Sequence, residues 1–196
     1  MSSSVNDCAA IGNVGKTLIS LLWNSIKDDS RVNGIITSDK QISLSSPKDV
    51  VESNASEKLS MFLYYVTEFS SMKNVPLNGS NKQYPPLYLT LHYLIVPYTQ
   101  NVESDQILLG KIMQVFVDNP VLRGSILQGS LADNGADLRV VMDSLSVDDL
   151  NKLWTVLSTP YKLAVSYSVS PVKIEPTREE EETRVLEKRD VYQAIY

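Results

Sequence analysis

The chain has 196 residues, a formal net charge of −5 at pH 7 and 43% hydrophobic residues. It is too apolar for intrinsic disorder, and its acidic balance argues against nucleic acid as the main partner, because phosphate backbones are bound by clustered Lys and Arg. A single cysteine and a single histidine exclude an intramolecular disulfide, a thiolate-rich metal site and any mechanism that needs two imidazoles.

The amino-terminal quarter of the chain is predicted to hold one helix and two short strands. Its first ten residues have neither a basic stretch nor an apolar run, so the sequence predicts no export signal of the usual type. Apolar residues then recur at helical spacing from Asp7 to Ile26, with Gly12 and Gly15 weakening the first turns by about 1 kcal/mol each. Short strands are predicted at Gly34–Ser38 and Gln41–Leu44, followed by a polar loop.

Two longer strands are predicted in the middle of the chain, at Leu59–Phe69 and Leu87–Val96. Both faces of each segment are apolar, which is typical of strands that are covered on both sides. Simple alternation places Tyr65 on the same face as Leu63. The polar, turn-rich segment Ser70–Tyr84 between the two strands is interpreted as a loop.

A second helix and a hairpin are predicted next. Ser104 is a plausible N-cap for the helix, which the sequence ends at Asn119 before a proline. The segments Gly124–Ser130 and Leu138–Asp143 flank an Asp-Asn-Gly turn, so we interpret them as the two arms of a hairpin.

The third helix and the last strand have the clearest local patterns. Ser146 and Asp149 form an N-terminal capping pair for a helix that stops before Pro160. Residues of the strand Tyr161–Val169 point alternately to an apolar and to a half-polar face. The half-polar face is expected to be exposed to solvent or to dock on a partner. We interpret Lys162–Ser170 as an edge that accepts a strand from another molecule. Its predicted interface residues are Lys162, Ala164, Ser166, Ser168 and Ser170.

The composition changes after Ile174, which divides the chain into a predicted domain at residues 1–176 and an extension at 177–196. Thr177–Glu180 fits a helix capping box, yet the apolar residues that follow have no obvious place in the core. Two interpretations stay open: the extension orders on a neighbouring molecule, or it is a capped helix packed on its own domain. Its predicted interface residues are Glu179, Glu180, Glu181, Glu182, Val185, Leu186, Tyr192, Ile195 and Tyr196.

No motif in the sequence predicts a catalytic, metal or cofactor site. Residues 12–17 end like a phosphate-binding loop, but Ala10 stands where the motif needs its first glycine and no buried strand precedes it, so a helix is favoured. His92 lies within an apolar strand, and we interpret it as a hydrogen-bonded structural imidazole. No apolar run approaches the roughly 20 residues of a membrane helix.

Four stretches, taken in order, resemble a known family. They are LSMFLYYVTEF at 59–69, YPPLYLTLHYLIVPYT at 84–99, LLGKIMQVFVDNPVL at 108–122, and LSVDDLNKLWTVLSTPYKLAVSYSVSPVKI at 145–174. The family is that of the tail-terminator, or cap, proteins of extracellular contractile injection systems of the antifeeding-prophage type. The resemblance covers residues 7–176 and leaves the extension outside it.

The resemblance implies a non-enzymatic α+β protein with a mixed, mostly antiparallel sheet and helices packed on it. It implies a six-fold ring at the baseplate-distal end of the inner tube that ends tube and sheath polymerisation and stabilises the extended particle. The implied partners are copies of the same chain, the inner-tube protein and the contractile sheath protein, with a second cap protein left open. Neither nucleic acid nor direct membrane insertion is implied. The implied location is the bacterial cytoplasm during assembly and then the particle, whose release is left open.

Two alternatives remain from the sequence. The first is another ring adaptor or tail-completion protein of the same particle. The second is an enzyme acting on a small polar ligand near Ser70–Tyr84, which ranks lower because no acid-base pair is placed on neighbouring elements.

Overall fold

The computed structural model describes residues 8–53, 56–69, 86–99 and 101–176. The helices are α1 (Ala10–Ile26), α2 (Pro47–Glu52), α3 (Val102–Asp118), α4 (Ser130–Asp133) and α5 (Val147–Leu157). The strands are β1 (Ile42–Ser43), β2 (Leu59–Glu68), β3 (Leu87–Pro97), β4 (Val121–Leu122), β5 (Leu138–Asp143) and β6 (Val165–Ile174). Within these ranges no helix is both long and apolar enough to cross a membrane.

The six strands form one sheet in the order β1-β2-β3-β6-β5-β4. Only β1 and β2 run parallel, and every other neighbouring pair is antiparallel. The predicted fold class, a mixed, mostly antiparallel sheet with helices packed on it, is therefore confirmed.

The main core lies on the sheet face that is covered by α1 and α3. Val14, Leu18, Leu22 and Ile26 repeat every four residues along α1, so they share one side of the helix and are buried against the sheet. The helix approaches the segment after β1 closely, because a Cβ atom at Gly15 would lie 2.6 Å from a methyl carbon of Leu44. The glycine that weakens the isolated helix thus permits its packing.

The opposite face of the sheet is covered by α5. Trp154 and Leu157 pack against Leu94 and Val96 of β3 in a second, smaller cluster. The predicted cap is confirmed: the backbone N–H of Asp149 donates to the hydroxyl of Ser146 at 3.2 Å, and the reciprocal bond is present. Hydrogen bonds from Ser146 also hold the pKa of Asp149 below its usual value.

The start of α3 was predicted wrongly. The helix begins at Val102, and its N-cap is Asn101, whose side-chain oxygen accepts from the N–H of Ser104 at 2.7 Å. Asn and Ser are equally good caps, so the first suitable residue in the chain starts the helix. The predicted end at Asn119 is confirmed.

Three further local predictions were also wrong. Residues 34–38 form a turn followed by an irregular segment instead of a strand. The loop predicted after β1 contains α2, which Ser46 caps with Pro47 at its first position. Gly124–Ile126 form a 3-10 turn and Ser130 begins α4, so residues 124–130 are not a strand and the first arm of the predicted hairpin does not exist. The second arm is β5, which lies between the two-residue strand β4 and the strand β6 and is antiparallel to both.

A bulge in β2 changes the face on which its second half presents side chains. Leu63 lies opposite Tyr93, but the next pair is Tyr65 with His92, so Tyr64 is an extra residue. Tyr65 therefore lies on the α5 face, and its predicted placement with Leu63 was wrong. The prediction that both faces of β2 are covered holds only for the first half of the strand. In the second half, Tyr65 is 57% and Val66 is 40% exposed.

The last strand is central in the sheet. β6 begins at Val165 and pairs with β3 on one side and β5 on the other. The interpretation of Lys162–Ser170 as an edge strand was therefore wrong. The edges are formed by the two-residue strands β1 and β4 and by the parts of β2 and β5 that extend beyond them.

Candidate functional site

A polar network crosses the α5 face of the sheet. His92 Nδ1 lies 2.9 Å from Asp143 Oδ2, and the Ser166 hydroxyl donates to the same carboxylate oxygen at 3.2 Å. The Tyr64 hydroxyl lies 3.0 Å from Ser166 Oγ, and Thr67 Oγ1 lies 3.3 Å from His92 Nε2. The network joins β2, β3, β5 and β6 at one level of the sheet.

The network stabilises the sheet by pairing polar atoms that would otherwise be buried without partners. Both ring nitrogens of His92 have a hydrogen-bond partner, Asp143 at Nδ1 and Thr67 at Nε2. Burial raises the pKa of Tyr64, so its hydroxyl stays protonated. The prediction that the His92 imidazole is hydrogen-bonded is confirmed, and its structural role stays a prediction.

An apolar groove of about 340 Å³ opens between β2 and α5, beside this network. It is lined by Tyr64, Tyr65, Leu145, Asp149, Lys152, Leu153 and Val156. Val156 is 80% exposed although it stands on a helix whose other face is packed in the core. Apolar side chains grouped around an open groove are typical of surfaces that bind other polypeptides.

The strand β2, which forms one wall of this groove, also has an open edge. The short strand β1 pairs only with Leu59 and Ser60 of β2. From Phe62 to Thr67, no strand of the described ranges lies on the side away from β3. Backbone N–H and C=O groups that point outward there are able to pair with an added strand. The open edge and the groove are adjacent because Tyr64 and Tyr65 belong to both.

An ion-pair cluster fixes the segment after α1 to α3. The Asp29 carboxylate lies 2.9 Å from Arg31 and 2.8 Å from Lys111, next to a pocket of about 400 Å³. Hydrogen bonds from Arg31 and then Lys111 hold the pKa of Asp29 well below its usual range. Since the carboxylate is paired with two cations, we interpret the cluster as a structural tie.

Three of the predicted strand residues make contacts within the fold, although Lys162 and Ala164 remain partly exposed. Lys162 Nζ pairs with Asp105 at 2.9 Å, Ala164 packs on the second cluster, and Ser166 is only 3% exposed within the polar network. Ser168 and Ser170 are half-buried on the α5 face. Their contact with a partner stays a prediction.

The other predicted residues lie outside the described part of the chain. They are Glu179, Glu180, Glu181, Glu182, Val185, Leu186, Tyr192, Ile195 and Tyr196. The capping box at Thr177–Glu180 and the loop Ser70–Tyr84 lie outside it as well, so the division at residue 176 stays a prediction.

The sequence predictions missed the groove. Its position depends on the bulge at Tyr64, which alternation does not reveal. One available signal was Val156, an apolar residue on the otherwise polar side of a strongly amphipathic helix.

The fold is an α+β domain, and the described residues give it an open strand edge and an apolar groove. The family described as the Pvc16 N-terminal domain matches residues 13–188. The chain therefore belongs to the Pvc16 N-terminal domain family, and the relationship predicted from the sequence is confirmed.

The fold is similar to that of two solved terminator structures. The first is the PVC sheath/tube terminator of an extracellular contractile injection system in the extended state, with a TM-score of 0.61 and 16% identity. The second is the tube-terminating cap of the anti-feeding prophage, with a TM-score of 0.57 and 15% identity. The matches cover 95% and 91% of this chain but only 64% and 60% of those chains. No curated protein matches the sequence significantly.

Proposed function

We propose that the protein is a structural cap subunit of a contractile injection system. In this proposal a ring of copies, six in number, ends the polymerisation of the inner tube and the sheath at the baseplate-distal end and stabilises the extended particle. The observation that carries the proposal is membership of the Pvc16 N-terminal domain family over residues 13–188. The similarity of the fold to a sheath/tube terminator and to a tube-terminating cap supports it.

The physical requirements of a terminator agree with an α+β assembly domain. A tube grows because each ring offers a face that is complementary to the next ring. This contact can repeat without limit along the tube axis. A terminator must match the exposed tube face on one side only. The subunits of a terminator must also join into a closed ring. Each contact between neighbouring subunits in that ring is expected to bury on the order of 1,600 Å² or more.

The partners in this proposal are other copies of the chain, the inner-tube protein and the sheath protein. A second cap protein remains a further candidate. The protein assembles in the bacterial cytoplasm and acts as part of the particle, without catalysis. Ser168, Ser170 and the extension 177–196 supply contact residues, while Lys162, Ala164 and Ser166 support that surface from within the fold.

A second candidate is a ring adaptor or tail-completion protein of the same particle. The chain spans only 64% and 60% of the two terminators that it resembles, so their whole activity is carried to it only as a proposal. An adaptor would occupy another level of the particle.

Location along intact particles tests the proposal. We expect tagged protein at the baseplate-distal end by electron microscopy, and particles of uncontrolled length when the gene is deleted. Tagged protein at any other level would favour the adaptor. Particles of normal length and stability without the protein would contradict both candidates.

A further inference from the structure

We infer that neighbouring subunits join through their sheets: the open edge of β2 in one copy pairs with the open edge of β5 in the next copy. This inference rests on the proposed ring, because it assigns the contact that joins one copy to its neighbour. The paired segments are Tyr65–Thr67 of β2 and Val141–Asp143 of β5. Each copy uses both edges, one toward each neighbour.

The sheet has an open edge on each of its two sides. β1 covers only the first two residues of β2, and β4 covers only the first two residues of β5. The N–H of Val140 donates to the carbonyl of Pro120, so the free part of β5 begins at Val141. Within the described ranges, no strand pairs with Val141–Asp143 on the side away from β6. One sheet can therefore accept a copy of itself on either side.

Neither edge carries the residues that usually prevent pairing. Natural sheets protect their edges with lysines, prolines and other charged side chains. The segment Tyr65–Thr67 contains none of these. In Val141–Asp143 the only charged residue is Asp143, whose carboxylate is hydrogen-bonded to His92 and Ser166 of the same copy. Both segments are therefore suited to backbone pairing with another chain.

The strand directions fit a head-to-tail contact. β2 and β5 run in opposite directions, because three antiparallel pairings separate them in the sheet. Two copies with the same orientation around a ring would therefore bring β2 and β5 together as antiparallel neighbours, which form regular hydrogen-bonded ladders. A ring closes through such contacts, in which each copy gives one surface and takes a different one.

The short strands β1 and β4 limit the register of this contact. The neighbour's β5 is covered up to Val140, so its free part has to meet β2 close to the end of β2. Val141 then lies opposite Thr67, Met142 opposite Val66 and Asp143 opposite Tyr65. In this register β1 and the neighbour's β4 lie at opposite ends of the contact and do not compete for space.

Exposed apolar side chains match across the two edges. Val66 is 40% and Met142 is 50% exposed, and both point to the main-core face because their strand partners belong to the main core. Tyr65 and Val141 are more than half exposed on the α5 face. There they would be diagonal neighbours about 7–8 Å apart, which is within reach of an aromatic ring. The contact would bury four apolar side chains that an isolated copy leaves open to water.

Cross-linking in purified full-length protein and in assembled particles tests the inference. In a Cys8→Ser background, one tagged chain carries Val66→Cys and a differently tagged chain carries Met142→Cys. With a short bis-maleimide we expect cross-links between the two tags at least about tenfold above the control. Within one copy, three strand spacings of about 14 Å in total separate β2 from β5, so a short cross-linker joins only different copies.

The control replaces Met142→Cys with Val102→Cys. Val102 is also exposed, but it stands at the start of α3, which packs on the central strand β3. A cysteine there has the same chemistry and lies away from both edges, so it reports cross-linking by random encounter.

A lysine at the edge gives a second test. Met142→Lys places a charge in the middle of the contact, while the half-exposed position lets the side chain extend into water. In cells that also express the untagged protein, we expect about tenfold less tagged Met142→Lys than tagged Val102→Lys in particles. Circular dichroism should show the same fold for both variants.

The possible outcomes separate this inference from the proposed function. Cross-linking through Met142→Cys that is no greater than through Val102→Cys, or equal incorporation of the two lysine variants, would overturn the edge-to-edge contact. Rings that cap particles of normal length without the 66–142 cross-link would overturn this contact and leave the proposed function standing. Particles that keep their length without the protein would overturn the proposed function, whatever the cross-link shows.

Discussion

The two faces of the sheet differ in how completely the described residues cover them. On the α1 and α3 face, apolar side chains from two long helices pack in one large buried cluster with residues from all six strands. On the α5 face, one short helix covers a smaller cluster and leaves Tyr65 and Val141 more than half exposed. The first face therefore carries most of the stability, and the second holds the surfaces that are available to partners.

The largest expected effect tests the face that carries stability. Leu22→Ala removes a side chain that is fully buried between α1 and the sheet, and should lower the free energy of unfolding by about 3–5 kcal/mol. Urea denaturation followed by circular dichroism measures the change. The exposed substitution Val147→Ala should alter it by less than about 0.5 kcal/mol. A loss below about 1 kcal/mol for Leu22→Ala would contradict the assignment of the main core to this face.

The same Leu→Ala change on the α5 face should lower the free energy of unfolding by a smaller amount. Leu157→Ala removes the same atoms from the smaller cluster, which can partly collapse or hydrate at its open side, so we expect a loss of about 2 kcal/mol. The same denaturation experiment compares the two variants directly. A loss equal to that of Leu22→Ala would mean that the two faces contribute alike.

The polar network gives a smaller effect again. Asp143→Ala leaves His92 Nδ1 and the Ser166 hydroxyl without their shared acceptor, and should cost about 1–2 kcal/mol. Asp118→Ala, an exposed carboxylate at the end of α3, is the control and should have almost no effect. In nuclear magnetic resonance spectra, the His92 ring signals should move in the first variant only. Unchanged stability in Asp143→Ala would show that water replaces the network at little cost.

The last effect is confined to alkaline pH and is absent at neutral pH. Burial, with a further contribution from the charge of Asp105, raises the pKa of Tyr98 to about 12, and burial also raises the pKa of Tyr93. Since an unfolded tyrosine titrates near pH 10, the native state keeps protons that the unfolded state releases. Stability is therefore full below about pH 10 and should decrease as the pH rises toward 12.

Tyr98→Phe isolates the contribution of that residue. It should make the decrease in unfolding free energy between pH 10 and 12 less steep, as measured by denaturation at each pH. Tyr161→Phe, an exposed tyrosine, provides the comparison and should leave the slope unchanged. An identical slope in all three proteins would show that Tyr98 ionises as freely in the folded chain as in the unfolded one.

Elements whose signals are local could be predicted from the sequence. The helices α1 and α5 follow from their apolar spacing, and the cap at Ser146 fixes the start of α5. The helix α2 was missed although Ser46, Pro47 and Asp49 supply the same kind of signal. Local propensity thus identifies long periodic segments better than six-residue ones.

Strand order and the groove could not be predicted in this way. Whether β6 is an edge depends on β3 and β5, which are distant in the chain, and its half-polar face proved to hold part of a buried network. The groove requires the bulge that rotates Tyr65 toward α5, and one extra residue leaves no mark in the hydrophobic pattern. Family resemblance supplied the fold class but not the position of this surface.

The ion pair between Lys162 and Asp105 has a mechanical consequence. It fastens the segment between α5 and β6 to the first turn of α3, where Asp105 also accepts from the N–H and hydroxyl of Thr99. A force that pulls on α5 would therefore be transmitted through this ion pair to α3 and the main core, so the ion pair helps to hold α5 on the sheet.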